Sequence, residues 1–427
     1  MRFTLARKDM GKLLKFLIDF LMIFGFLFEF RIGMGLTTRR VVLGFAILYV
    51  LKNIGKCRGK VRLLPQKAIL ISIGMLILVI CIILNNMVNY SPSFDNTNIN
   101  IRYILYILLY VYFFSMYCVN RFESIGSFSK VYIAVMIFQS IVVFASALNL
   151  SFRVFLFNNT LADQYEADMI MAVLNGTRIC GIQLMASAGS LMLCTGCVLL
   201  VYLIINKRIS NGCFFINFGM IALATMLIGR TGFYVEIALM LVYFIGYKSP
   251  KKYISIIAGA LVLFLVLVYA ASRLDTWVIA YYKRWIGEIF YSERVQQTLD
   301  WIGASNIPEF SKEMLFGTNV MKGILPTGFI MQSDSGYARM YCAVGIVGCI
   351  LYYGSFFIMF TSIAWKIKEK KNKLYYLLCV LFTFAIEYKE PFFMKYFFPF
   401  TVLALGMFIV LQERKRHENM LFNRSAF

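Results

Sequence analysis

Long apolar stretches alternate along the chain with short clusters of charged and turn-forming residues. The stretches are too uniformly apolar to be one face of a soluble amphipathic helix. A hydrocarbon core about 30 Å thick is crossed by about 20 mainly apolar helical residues. Runs of that kind fall at 16–34, 36–51, 68–88, 102–119, 131–149, 179–205, 213–229, 232–247, 253–271, 337–365, 374–389 and 392–411. The pattern therefore predicts an all-α, polytopic integral membrane protein of about 12 transmembrane helices, one transmembrane domain over 1–427. Arg39 and Arg40 shorten the second run, and the seventh and eighth close into a tight hairpin around Arg230.

The interruptions differ in kind. Residues 272–336 make the one long break, carrying Trp277, Trp285 and Trp301 with six Lys or Arg against seven Asp or Glu. Structureless loops longer than about 15 residues are usually functional, so this segment reads as a major extracytoplasmic loop between the ninth and tenth helices. A second external loop, 150–178, sets Asp163, Glu166 and Asp168 between Arg153 and Arg178. A third, 85–101, is rich in Asn and Ser and reads as a solvated turn.

Composition sharpens the membrane reading. Of 427 residues, 60% are hydrophobic and only 15% charged, where soluble domains carry roughly 25% charged residues. A soluble multidomain enzyme is excluded. The net charge of +22 raises nucleic acid as a partner, but the cations sit in short clusters between apolar runs rather than in a groove-like patch with interleaved aromatics, so no nucleic acid is expected. With the N-terminus inside, 27 of the 43 Lys and Arg fall on the cytoplasmic side. Lys52 to Lys67 and Arg414-Lys415-Arg416 give the clearest inside signals, which makes both termini cytoplasmic. The first apolar run lacks a small-residue cleavage site and is followed by many more, so no cleavable signal peptide is expected.

Several chemistries drop out. Histidine occurs once, at His417 in the tail, which argues against histidine acid/base work, haem ligation and the usual zinc sets. Most of the ten cysteines lie within apolar runs. Cys194 and Cys197, spaced C-x-x-C, fall mid-helix, where small polarizable packing outweighs redox chemistry. No external loop holds two cysteines, so a disulfide-stapled ectodomain is not expected. A Gly-rich phosphate loop is also missing, and with it an ATP-driven pump. Neither metal nor cofactor is called for.

Charges at the lips of apolar runs cost roughly 2.5–3.5 kcal/mol each on insertion and are functional candidates. Arg230 sits in Gly229-Arg230-Thr231-Gly232, where a helix break lets backbone N–H groups and a guanidinium address one anion. A plain turn with an outward-snorkelling arginine fits the same residues. Arg178 opens the sixth run and Arg339 the tenth, just after Ser333-Asp334-Ser335-Gly336-Tyr337. Each is either an anchor or a cation awaiting an anion, since a cation is the unfavourable sign at a helix start. Glu387, Lys389, Glu390 and Lys395 crowd around Pro391; they either pair among themselves or present another cation. Asp19, Glu29, Arg31 and Glu236 carry weaker signals, and Glu236 stands six residues past Arg230, where it balances that charge. Several external cations, one candidate carboxylate at Asp334 and a large polar loop suit a lipid-linked phosphate or pyrophosphate substrate. Departure of pyrophosphate needs electrostatic stabilisation and a base for the attacking hydroxyl, and no metal.

Gly229-Arg230-Thr231-Gly232 at a hairpin, Leu315-Phe316-Gly317-Thr318 in the long loop, and Asp334-Ser335-Gly336-Tyr337 leading into Gly345-Ile346-Val347-Gly348 together resemble the Wzy-type O-antigen and capsular polysaccharide polymerases. Tyr388-Lys389-Glu390-Pro391-Phe392-Phe393 is similar to their late Lys-x-Pro-Phe hairpin, and the overall plan of the chain matches. The resemblance implies a GT-C-like, metal-independent glycosyltransferase of the bacterial cytoplasmic (inner) membrane. It would join undecaprenyl-diphosphate-linked oligosaccharide units, a sugar hydroxyl displacing undecaprenyl diphosphate. Arg230, Arg178, Arg339 and Lys389 are then candidates for the diphosphate, Asp334 for the base or acceptor contact, with Arg230 beside it as catalytic. Arg284, Arg294 and Tyr337 are candidates for sugar or phosphate. A chain-length regulator and a repeat-unit flippase are the implied partners. The related O-antigen ligases often use an external histidine, which this chain lacks. A flippase or transporter of lipid-linked oligosaccharide would keep its charges at mid-membrane depth and its loops short.

Overall fold

The computed structural model describes residues 2–33, 36–53, 109–160, 179–183, 186–246, 307–321, 323–325, 328–331 and 333–425, with isolated helical positions at 74, 77, 80, 83, 87, 171 and 173. The predicted runs 68–88, beyond those isolated positions, and 253–271 lie outside the described residues. Helix dominates. In chain order the elements are α1 Arg2–Leu27, β1 Arg31–Gly33, β2 Leu36–Thr37, α2 Thr38–Lys52, a π-helical turn Leu109–Phe113, α3 Phe114–Arg121, α4 Ile125–Leu148, α5 Leu150–Thr160, α6 Ala186–Ile205, α7 Asn211–Ile228, α8 Arg230–Gly246, a 3₁₀ turn Glu313–Leu315, β3 Gly323–Ile324, β4 Ile330–Met331, α9 Gly336–Ala364, α10 Lys370–Glu387 and α11 Phe397–Ser425. Among the described residues, five helices are long and apolar enough to cross a membrane: α4, α6, α7, α9 and the stretch Phe397–Asn419 of α11. The chain is a helical membrane protein.

It divides into two compact units, Met1–Arg39 with Ser129–Gln296, and Arg40–Phe128 with Gln297–Phe427. The first is built around α6, buried from Ala188 to Ile205. A helix apolar all round belongs at the centre of a bundle, and small residues let its neighbours close in. Gly196 packs against Met136 and Ile221, and Tyr132 shares a 2.8 Å hydrogen bond with Thr195. Ser210 caps α7, its Oγ accepting from the Cys213 N–H. In the second unit α9, α10 and α11 pack closely enough that Gly406 faces Tyr376 and Ile363 without room for a side chain, while Phe128 stacks on Phe408 at 5.1 Å.

The structure corrects several predicted bounds. The run 16–34 stops being helical at Leu27. There Thr38 Oγ1 donates to the Phe28 carbonyl and accepts from the Phe30 N–H, folding the chain into the antiparallel β1–β2 hairpin. This short hairpin is a local feature of an all-α fold. In the run 179–205 the helix starts only at Ala186, because Ile182 N–H is held by the Gln139 side chain. In the run 392–411 it starts at Phe397. Phe392 and Phe393 are apolar because protein buries them, at 1% and 0% exposure, in a turn ahead of the helix. The loop 150–178 contains a real helix, α5, capped by Asn149 accepting from Phe152 N–H.

The last part of the long loop is folded too. Met314, Leu325, Met331, Ala338 and Cys342 form a small core in which the β3–β4 hairpin lies on the first turns of α9. That helix breaks at Gly345, with φ 69° and ψ −175°, and the break exposes carbonyls that helix geometry would have paired. The loop meets that need: Thr318 N–H donates to the Cys342 carbonyl at 2.7 Å and Asn319 N–H to the Ala343 carbonyl at 2.9 Å.

Candidate functional site

In the first unit the chain turns from α7 into α8 at Gly229, and the two glycines of the motif are explained by packing. A Cβ at Gly229 would stand 2.6 Å from the Ala186 carbonyl oxygen, and one at Gly232 would collide with the Ser190 carbonyl. Gly232 N–H donates to Ser190 Oγ at 3.1 Å, so that amide is engaged within the protein. The α7–α8 turn is thereby pressed onto the start of α6, and the N-terminal ends of α6 and α8 lie side by side. Arg230, half-buried, is the first residue of α8. Each helix start carries roughly half a positive charge, and Arg230 is the first residue of one of these two adjoining starts.

Glu236, 1% exposed on α8, accepts from Thr225 Oγ1 at 2.9 Å and Cys197 Sγ at 3.5 Å, while its Oε2 has no hydrogen-bond partner. Its neighbours are thus a hydroxyl and a thiol, where the sequence had suggested the Arg230 charge. Arg153, 3% exposed, directs its guanidinium to the carbonyls of Ser146, Ala147 and Val173. Burial lowers its proton affinity below the usual arginine range, and the nearby Cys180 opposes that.

In the second unit the candidates gather where α9 begins and α10 ends. Arg339 Nη2 pairs with Asp334 Oδ1 at 2.6 Å, and its Nε donates to the Ser333 carbonyl at 2.9 Å. The anion that answers the cation at this helix start is therefore Asp334 itself. The arginine is 19% exposed and the aspartate 57%, so the carboxylate keeps an open side. Tyr337 is tied down by its hydroxyl, which donates to the Phe384 carbonyl at 2.8 Å.

Beneath them lies Glu387, fully buried, whose Oε1 accepts from Tyr353 OH and Oε2 from the Phe393 N–H, both at 2.8 Å. Gly336 sits against this carboxylate and the Pro391 backbone, with no space for a Cβ. The turn 388–396 is thus clasped to the start of α9. It carries Lys389, half-buried, and the ion pair Lys395–Glu390 at 2.8 Å, with Lys395 also 4.7 Å above the Phe392 ring.

Asp334, Arg339, Tyr337 and Lys389 thus belong to one corner of the second unit, whereas Arg230 belongs to the first. Arg178, Arg284 and Arg294 lie outside the described residues, as do Asp163, Glu166, Asp168, Trp277, Trp285 and Trp301. Sequence reasoning missed Glu387 as a clasp, because its partners Tyr353 and Phe393 show no common motif with it. It also missed Arg153 as a buried carbonyl-binding cation; the sole hint was an arginine flanked by apolar residues. Among the described residues no cluster of His, Cys, Asp and Glu fit to hold a metal occurs. No protein-family model, curated protein or solved structure matches this chain.

Proposed function

We propose that the chain is a polysaccharide polymerase of the O-antigen or capsular type, acting at the outer face of a bacterial cytoplasmic membrane on undecaprenyl-diphosphate-linked oligosaccharide. The supporting observation is the placement of Arg230 where the starts of α6 and α8 adjoin. Such a spot favours a phosphate-bearing group, and a diphosphate leaving group gains negative charge as the glycosidic bond to it breaks. In this reading Arg230 stabilises the departing undecaprenyl diphosphate. Asp334, on the second unit with one carboxylate oxygen held by Arg339 and the other side open, is a separately proposed base for, or contact to, an acceptor sugar hydroxyl. Arg339 then acts by orienting Asp334 and not as a diphosphate ligand. Arg178, Arg284, Arg294, Tyr337 and Lys389 remain proposed contacts to diphosphate or sugar. A chain-length regulator and a repeat-unit flippase are the proposed partners.

The test is reconstitution with purified lipid-linked repeat units, without added metal, read as a ladder of chain lengths on a gel. Arg230→Ala should insert normally and leave only unextended units; a normal ladder from this variant would dismiss the reading. One observation favours a flippase as the second reading: Glu236, a carboxylate buried on the largely apolar α8, is the kind of group that carries protons in transporters. Movement of labelled lipid-linked units across vesicles, abolished by Glu236→Gln in the absence of any polymer, would favour it.

A further inference from the structure

The β3–β4 hairpin has two unlike faces. Gly323 pairs with Met331 and Ile324 with Ile330, and directly opposed residues of an antiparallel pair project to the same side. Met331 and the adjoining Leu325 are buried against Met314, Ala338 and Cys342. Ile324 and Ile330 form the other face and are 70% and 54% exposed. Two opposed isoleucines on a folded cap are out of keeping with an aqueous surface, and their depth relative to the membrane shows what surrounds them.

That depth follows from α9. At its far end Trp365 is 77% exposed with Lys373 5.0 Å above its ring, and Lys366 follows directly. Tryptophan beside lysine marks a membrane–water interface. Counting back through Ile346–Ala364 at 1.5 Å per residue gives about 28 Å, close to the full hydrocarbon thickness. This ends at the break in Gly345. The helix beyond the break therefore enters the opposite headgroup layer with its residues nearest Gly345, and the hairpin packs against this outer piece at Ala338 and Cys342. Exposed apolar positions continue on the hydrocarbon side of the break, at Ile346 and Ile350. A second protein copy is a poor alternative occupant, because stable interfaces bury about 800 Å² per partner and two side chains supply far less.

We infer that the β3–β4 hairpin lies in the lipid headgroup layer with its Ile324–Ile330 face turned to the acyl-chain boundary, so that the cap of the long loop is a membrane-contacting element. This goes beyond the polymerase reading and holds whichever reaction the protein performs. Amphipathic elements bind such an interface by burying their apolar face about 5–10 Å into it.

The test places a photo-crosslinking p-benzoylphenylalanine at one position of the full-length protein in lipid nanodiscs of defined phospholipid. Positions 324 and 330 are used in separate variants, with Lys312, exposed on the same cap, as the control. Irradiation at 324 or 330 should add the mass of one phospholipid, and the Lys312 variant should add none. Absence of lipid adducts at both isoleucines, or dimer adducts in their place, would overturn the inference. Because the two variants perturb different strands and are made at exposed sites, misfolding of one leaves the other decisive.

Discussion

Glu387 is buried and meets a donor on each oxygen, and that arrangement sets the cost of changing it. Replacing it by alanine leaves the Tyr353 hydroxyl and the Phe393 N–H buried without an acceptor, and each such orphan costs about 1–3 kcal/mol. Glu387→Ala should therefore lower the thermal unfolding midpoint in detergent by the equivalent of about 2 kcal/mol or more. Glu387→Gln, which keeps one acceptor and opposes an N–H to the other donor, should fall between alanine and wild type. Equal midpoints for all three would show that the clasp contributes nothing. From the sequence, Glu387 was one of four charges around Pro391 that either pair with one another or face a substrate. The pairing reading holds for Glu390 with Lys395, neighbours in a turn, but not for Glu387, whose partners are a tyrosine on another helix and a backbone amide. Local charge counting has no access to either. Asp334 and Arg339 show the reverse: both are legible as site candidates, five residues apart across a helix start, yet their pairing with each other needed the geometry.

Hydropathy located most helices because burial and lipid both demand apolar side chains, and it misjudged ends and breaks for the same reason. The run 337–365 was read as one helix and is one by position, but a hydropathy sum carries no information on φ, so the break at Gly345 was invisible. This break is required by two facts at once. The left-handed φ of 69° suits glycine alone, and a Cβ would meet the backbone of Leu315 to Gly317. Gly345→Ala should therefore detach the loop cap: residues 307–335 should become protease-sensitive and exchange their amides faster, with the rest of α9 protected. Gly354→Ala, on the same helix with open space around it, should leave both unchanged. If Gly345→Ala cleaves no faster than Gly354→Ala, the cap does not depend on the break. Phe392 and Phe393 illustrate the companion error, a buried turn that hydropathy took for the start of a helix.

At the scale of the molecule, sidedness decides whether the proposed chemistry can reach an external substrate, and the second unit ties its own basic segments together. The connection from α9 to α10 carries Lys366, Lys368, Lys370, Lys371 and Lys373, and the end of α11 carries Arg414, Lys415 and Arg416. Lys368 N–H donates to Glu413 Oε2 at 2.7 Å, and Arg416 approaches Glu369 at 3.9 Å. Both clusters therefore lie at one end of the unit, and the positive-inside rule predicts that end to be cytoplasmic. Gly336–Ala364 is long and apolar enough to cross a bilayer, and a crossing there puts Asp334, Arg339 and the cap on the face opposite those clusters. An alkaline phosphatase fused after residue 305 should then be active and one fused after residue 368 inactive, with the reverse pattern for a cytoplasmic fluorescent reporter. The two fusions flank a single helix, so equal activity at both would contradict the crossing itself. Activity at 368 alone would put the Asp334 corner in the cytoplasm, out of reach of an externally presented oligosaccharide, and would remove the polymerase proposal while leaving the lipid contact of the hairpin intact.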